Sequence, residues 1–343
     1  MNFKRIIGID VSKNTLDVSW YDESEKPQFM KFDNSIPGLS QFVLHLQKLG
    51  CNLEENLICL ENTGHYSDLP SRVLSNEGAF VWMVHPMVLK LFSPTLQRGK
   101  NDKTDAKKLC DFARNFQGQA EKFVPSSAEE DRMKDMDRLR SQLVKFRTQI
   151  MNMIESNKDK AQPCKVTDYL FTNLKSQFDQ AIDDVDKELK RCIMSNPKYR
   201  RMYEILLSVP AIGPVCATQI IILTRGFTKI TNYKAFACFI GTAPFSDSSG
   251  KYNPKPRVSN VGHKEFKGKI FMGALSQTHT NRFFHAFYQY GTVTLKKHHN
   301  SVMNALINEV LKLAFYLVEK DMVFEKEIYL SGKKNTLKFL QLS

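Results

Sequence analysis

Apolar and polar positions follow three successive patterns along the chain, and each predicts a different kind of structure. Near the N-terminus "RIIGIDVS" (5–12) is a short β-branched run, "TLDVSWYD" (15–22) alternates as a half-buried strand does, and "QFMKFDN" (28–34) follows as a third strand. Leu39, Phe42, Val43 and Leu46 then recur at helical spacing between Ile36 and Leu49, with Gly50 as a stop. "NLICLENTG" (56–64) and "AFVWMVHP" (79–86) predict two more buried strands, with a helix near Leu69–Ser75 between them. Three consecutive strands followed by strands alternating with helices predict a mixed α/β sheet.

Beyond about residue 125 the period lengthens. Met133, Met136, Leu139, Leu143, Phe146, Ile150 and Ile154 stand three or four apart on a charged background. "QPC" (162–164) breaks the pattern before a second such helix over about 167–194, which predicts a helical hairpin or coiled coil. A third region begins near 200 with "LLSVPAIGPVCATQIIIL" and a helical stretch to Phe239. The polar loop "GTAPFSDSSGKYNPKPRVSNVGHKE" follows, and then amphipathic helices to about 325. The expected domains are therefore 1–122 (α/β), 123–198 (helical hairpin) and 199–325 (mainly α), with 326–343 as a peripheral tail.

Charge narrows the partners. A formal net charge of +13 over 343 residues favours polyanions, nucleic acid before small acidic substrates. The N-terminus meets charge too early for a signal peptide, and no run of about 20 apolar residues stands out. The expectation is a soluble, cytoplasmic, DNA-associated protein with no membrane partner. Seven scattered cysteines without a Cys-x-x-Cys pair argue for reduced thiols rather than disulfides or zinc.

The first region places acids at informative points. Asp10 ends the first strand, Glu61 ends "LICLE", and Asp102 and Asp105 open the helix in "RGKNDKTDAKKLCDF". On that helix positions 102, 105, 109, 112 and 116 share one face, so both aspartates extend an apolar stripe. A carboxylate there is costly unless neutralised, and four oxygen donors without nitrogen or sulfur suit Mg2+ or Mn2+. The neighbouring Arg98, Lys100 and Lys103 would then meet backbone phosphates. The ordinary alternative is a mixed-charge helix whose N-terminal acids answer the helix dipole.

"IGIDVSKNTLDV", "LENTGHY", "HPMVLKLF" and "KNDKTDAKKL", then the helical hairpin, "VPAIGPVCA" and "GTAPFSDSSGK", resemble in order and spacing the DEDD insertion-sequence transposases. That family includes Piv-type DNA invertases and bridge-RNA-guided recombinases. The resemblance implies a RuvC-like, ribonuclease-H-like N-terminal domain whose metal-binding catalytic tetrad is Asp10, Glu61, Asp102 and Asp105. It implies that Ser249, directly before Gly250, is a nucleophile forming a phosphoserine intermediate, with Ser248 as its neighbour. It further implies donor and target double-stranded DNA, a guide RNA encoded outside the chain, and a homo-oligomer, dimer or tetramer, in which one subunit's serine completes another's metal site.

"SVPAIGPVCATQI" resembles a helix-hairpin-helix turn, with Gly213 as a phosphate contact and Ala211 where the family has its first glycine. If that position needs φ > 0, alanine costs about 1 kcal/mol. Read alone, it is a tight packed turn. Arg257, Lys264 and Lys267 follow the serine loop as candidate phosphate contacts, and Asn260 stands where the family usually has lysine. Three competing functions remain. One is a metal-dependent junction nuclease using water, with Ser249 only a turn residue. Another is an actin-like or sugar-kinase-like ATPase, which would need later glycine-rich phosphate loops that the sequence lacks. The last is a nucleic-acid-binding protein without catalysis.

Overall fold

The first strand, β1 (Arg5–Val11), forms because four of its seven residues are β-branched and apolar, and the sheet is built outward from it. On one side β2 (Thr15–Tyr21) and β3 (Pro27–Asp33) add as an antiparallel meander; on the other β4 (Asn56–Glu61) and β5 (Phe80–Val84) add in parallel. The order β3-β2-β1-β4-β5 is the mixed five-stranded sheet expected of a ribonuclease-H-like domain. The computed structural model describes residues 3–50, 52–62, 64–92, 102–245 and 256–325. The chain divides into two compact units, Met1–Ser126 and Ser127–Ser343.

In the first unit the two faces of the sheet are covered separately. Ile7, Ile9, Leu16, Val18, Ile58, Leu60 and Val81 pack with Leu39, Phe42 and Leu46 of α1 (Ile36–Lys48) and Leu74 of α2 (His65–Asn76). Ile6, Leu57, Cys59 and Trp82 pack on the opposite face with α3 (Pro86–Phe92) and with Leu109, Phe112 and Phe116 of α4 (Asp102–Phe116). Burial on both faces explains why the central strands read as near-continuous apolar runs. Two boundaries differ from expectation. α2 starts at His65, earlier than its apolar spacing indicates, and β5 stops at Val84 because Pro86, preset in φ, opens α3.

The second unit opens with α5 (Ala128–Lys158), whose Ser127 and Glu130 form a capping box. α6 (Lys165–Ser195) runs antiparallel to it. Asn157 clasps Cys164 at one end, Arg147 meets Asp179 at 3.1 Å and Arg140 meets Asp186, and Asn196 reaches Glu129 at the other end. The apolar stripe of α5 is only partly enclosed: Met133 and Ile154 are buried, but Leu139 and Phe146 remain about half exposed.

The remaining helices share one core, in which Leu206, Ile220, Phe236, Phe266, Ile270, Leu306 and Val310 are buried. They are α7 (Pro197–Ser208), α8 (Pro214–Thr224), α9 (Tyr233–Ile240), α10 (Lys264–Thr280), α11 (Arg282–Gln289) and α12 (His299–Glu319). A two-residue ribbon, β6 (Pro244–Phe245) with β7 (Arg257–Val258), interrupts them. Among the described residues α12 is the one helix whose length and composition would suit a membrane span, but its apolar face lies in this core.

One buried polar contact makes a testable prediction. Gln219 of α8 donates from Nε2 to both carboxylate oxygens of Asp137 on α5, at 2.9 and 3.1 Å, while its buried Oε1 has no partner among the described residues. Burial pushes the Asp137 carboxyl above its ordinary pKa, against the opposing effects of the Gln219 hydrogen bond and Lys269. A raised folded-state pKa contributes stability at acid pH that is lost as pH rises through it. Asp137→Asn removes that loss and offers Gln219 Oε1 a donor once the amide turns in its plane. Urea unfolding should show the variant more stable at neutral pH by about 1 kcal/mol, with the advantage vanishing near pH 4.

Candidate active site

The alternation of strand residues decides which acids can meet. Asp10 has the parity of Ile6 and Gly8, and Glu61 that of Leu57 and Cys59, so both lie on the α4 side of the sheet. The register that sets Ile9 beside Leu60 makes Asp10 and Glu61 neighbours at the C-terminal ends of two central parallel strands. α4 runs antiparallel to β1 across this face. Its Cys110 Sγ donates to the Ile6 carbonyl at 3.3 Å, and residues 106–110 cross Gly8. The first turn of α4, which carries Asp102 and Asp105, therefore comes to the Asp10 end.

Side-chain detail is more mixed. Asp105 is 27% exposed and pairs with Lys108 at 3.2 Å, as an ordinary mixed-charge helix would have it. The side chain of Asp102 lies outside the described residues. Among the described residues no group of three His, Cys, Asp or Glu side chains stands close enough to hold a metal ion. The backbone thus gathers the acids at one end of the sheet without closing a coordination shell. The donor chemistry, carboxylate oxygens alone, fits a hard divalent cation.

Sequence reasoning missed one acid here. Asp17 of β2 sits directly opposite Asp10, is 7% exposed, and is paired with Lys31 of β3 at 3.3 Å. Lys31, Asp17, Asp10 and Glu61 form a charged row across four adjacent strands. Its signal was available in "TLDVSWY", where an acid interrupts an otherwise uncharged strand.

In the second unit Ser248 and Ser249 lie outside the described residues, as do Arg98 and Lys100 in the first. The ends of the segment that carries the serines are well defined. β6 and β7 hold them side by side, with Pro244 opposite Val258. Below this ribbon Gly241 adopts φ +76 at the end of α9, and Gly262 approaches so closely that a Cβ on it would lie 2.8 Å from the Gly241 nitrogen. Thr242, fully buried, donates to Asn308 Oδ1 at 2.7 Å and accepts from Asn308 Nδ2 through its carbonyl at 3.1 Å.

The candidate cations occupy different settings. Lys267 is half-buried and donates to the Gly241 carbonyl at 2.6 Å, and burial lowers its pKa. In this position it steadies the base of the ribbon. Arg257, Lys264 and Lys103 are exposed. Gly213 is exposed at the N-cap of α8. Ala211 does take a left-handed backbone, φ 74, and α10 packs so tightly on it that a Cβ on Gly273 would strike its carbonyl oxygen.

Residues 7–163 match the DEDD transposase family of IS110 type, and residues 203–289 match the transposase IS116/IS110/IS902 family. The chain belongs to the IS110-type transposase family. The first match contains all four acids and the second contains Gly213, the serine loop, Arg257, Lys264 and Lys267. The transposase is 22% identical over 338 residues to the pilin gene-inverting proteins of Moraxella lacunata and Moraxella bovis, covering 95% of this chain and 99% of theirs. It is 24% identical over 341 residues to the putative transposase y4pF/y4sB of Sinorhizobium fredii, covering 91% of this chain and 83% of that one. This transposase is a DNA-recombining enzyme.

Proposed function

We propose that the enzyme cuts and rejoins double-stranded DNA at the ends of a mobile element, using the Asp10, Glu61, Asp102 and Asp105 tetrad together with Ser249. The observation that carries this reading is the convergence of Asp10, Glu61 and the first turn of α4 at one end of the sheet. The four carboxylates would hold Mg2+ or Mn2+, which supplies Lewis-acid polarisation of a phosphodiester when bound. Ser249 Oγ forms a bond to phosphorus as a backbone P–O bond breaks, and the departing DNA oxygen takes up the proton. Reversal of the same exchange with a new DNA hydroxyl rejoins the strands and regenerates the serine, so no nucleotide cofactor is consumed. The paired ribbon below the serine loop supports this role, since it fixes where that loop emerges. A structured guide RNA and a homo-oligomer in which serine and tetrad come from different subunits complete the reading.

The experiment is capture of the covalent adduct on a suicide DNA substrate that cannot be religated. Wild-type enzyme and Ser248→Ala should give a protein–DNA species, and Ser249→Ala should reduce it at least about a thousandfold. DNA cleavage without any adduct would instead identify a water-using nuclease. Inversion of a DNA segment is a second reading of the same chemistry. It is favoured by the near full-length similarity to the pilin gene-inverting proteins.

A further inference from the structure

From Phe266 to Asn308 the chain contains no aspartate or glutamate, although acids are frequent on both sides, while Lys267, Lys269, Arg282, Lys296 and Lys297 all fall within it. Lys267 and Lys269 turn inward, to the Gly241 carbonyl and to Glu265. Lys296 and Lys297 do not. They are exposed in the short loop between α11 and α12, and among the described residues neither has an ion-pair partner.

That loop is held firmly from below. The residues after α11 make a π turn, Tyr290–Thr294, closed by the Leu295 amide donating to the Tyr290 carbonyl at 2.9 Å. The Lys297 amide donates to the Gly291 carbonyl at 3.0 Å. Gly291 is pressed against α12 so closely that a Cβ on it would lie 2.7 Å from Val302 Cγ1. Lys296 takes φ 48, a left-handed backbone conformation that most residues avoid. On the far side Tyr288 and His299 Nδ1 are joined at 2.8 Å. His298 caps α12, its Nδ1 accepting from the Asn300 amide at 3.2 Å, so the proton of the neutral ring is on Nε2, which is left to donate outward.

We infer that the loop Leu295–His298 is a contact for the phosphate backbone of duplex DNA, with Lys296 and Lys297 as the charged donors and His298 Nε2 as a third donor. Two unneutralised ammonium groups on a rigid base, in a stretch without any carboxylate, attract a polyanion and repel other cations. The groups are donors only, matched to phosphate oxygens, and a phosphate contact orients DNA without selecting its sequence. The inference rests on DNA being the enzyme's substrate.

The test is a salt titration of full-length enzyme with a fluorescein-labelled duplex of arbitrary sequence, comparing wild type with the double variant Lys296→Asn/Lys297→Gln. Asparagine suits the left-handed backbone at 296, so both charges are removed with the turn kept. The variant should bind about tenfold more weakly near physiological salt, with a log Kd versus log salt slope shallower by about 2, while Lys296→Arg/Lys297→Arg keeps the wild-type slope. An unchanged slope in the neutral variant overturns the inference while leaving the DNA reading in place. A change seen with a single-stranded RNA probe but not with the duplex also overturns it. Failure of the wild type to bind any duplex would sink both.

Discussion

Gly8→Ala disconnects the last helix of the first unit from its sheet. A Cβ at this position would run into the carbonyl oxygen of Ala106 and the amide nitrogen of Cys110, and would lie 2.9 Å from the carbonyl carbon of Leu109. All three are backbone atoms in the middle of α4, so no rotamer change relieves the clash. Overpacking of this kind costs about 3 kcal/mol, and here relief requires α4 as a whole to lift from β1. That movement carries Asp102 and Asp105 away from Asp10. Urea unfolding should show the loss of stability, and strand exchange should fall to background at temperatures where the variant is still folded. A variant with wild-type stability and exchange would mean that α4 does not sit on Gly8. The glycine in "IIGID" is therefore a packing requirement, a strand glycine where another backbone comes close.

Asp10→Asn and Asp105→Asn should each lower strand exchange about a thousandfold, equivalent to about 4 kcal/mol of transition-state stabilisation, while the fold is retained. For Asp10 the stability side has a definite sign. It faces Asp17 directly across an antiparallel pair, and like charges so placed repel, so neutralising one should leave the melting temperature unchanged or raise it. For Asp105 the variant separates two roles. If its carboxylate served only the half-buried pair with Lys108, removal would cost about 1 kcal/mol and exchange would persist. Measuring exchange and thermal melting on the same preparations decides between them.

The parts of the fold legible in the sequence are those whose period is set by burial. The apolar run found β1 and the spacing of Leu39, Phe42 and Leu46 found α1. Alternation found β2 but as a half-buried strand, whereas Leu16 to Trp20 are all buried, Asp17 and Ser19 included, because α4 packs over the face that carries them. What escaped was one local boundary and the contacts between residues far apart along the chain. Pro86 looks like the end of a strand until β5 is seen to stop at Val84. Asp17 looks like one polar step in an alternating strand until register sets it beside Asp10. The stripe on α5 marks a contact face, but Leu139 and Phe146 stay about half exposed, which local spacing does not encode. The positions of Asp10, Glu61, Asp102 and Asp105 near strand ends and a helix start were legible because those are local features. Lys267 was read as a phosphate contact, yet its bond to the Gly241 carbonyl is a matter of three-dimensional packing.

The antiparallel pair α5 and α6 has a consequence for how this chain can change. Each helix has 31 residues, a length of about 45 Å, and the chain leaves the pair where it entered, with Asn196 bonded to Glu129. Such an out-and-back excursion is a cantilever clamped over its inner half, where Asp137 meets Gln219 of α8 and Ser141 and Lys145 meet Glu265 of α10. Its reach is proportional to residue number, and equal insertions or deletions in the outer halves of the two arms, made in whole turns, move the tip while the clamp stays fixed.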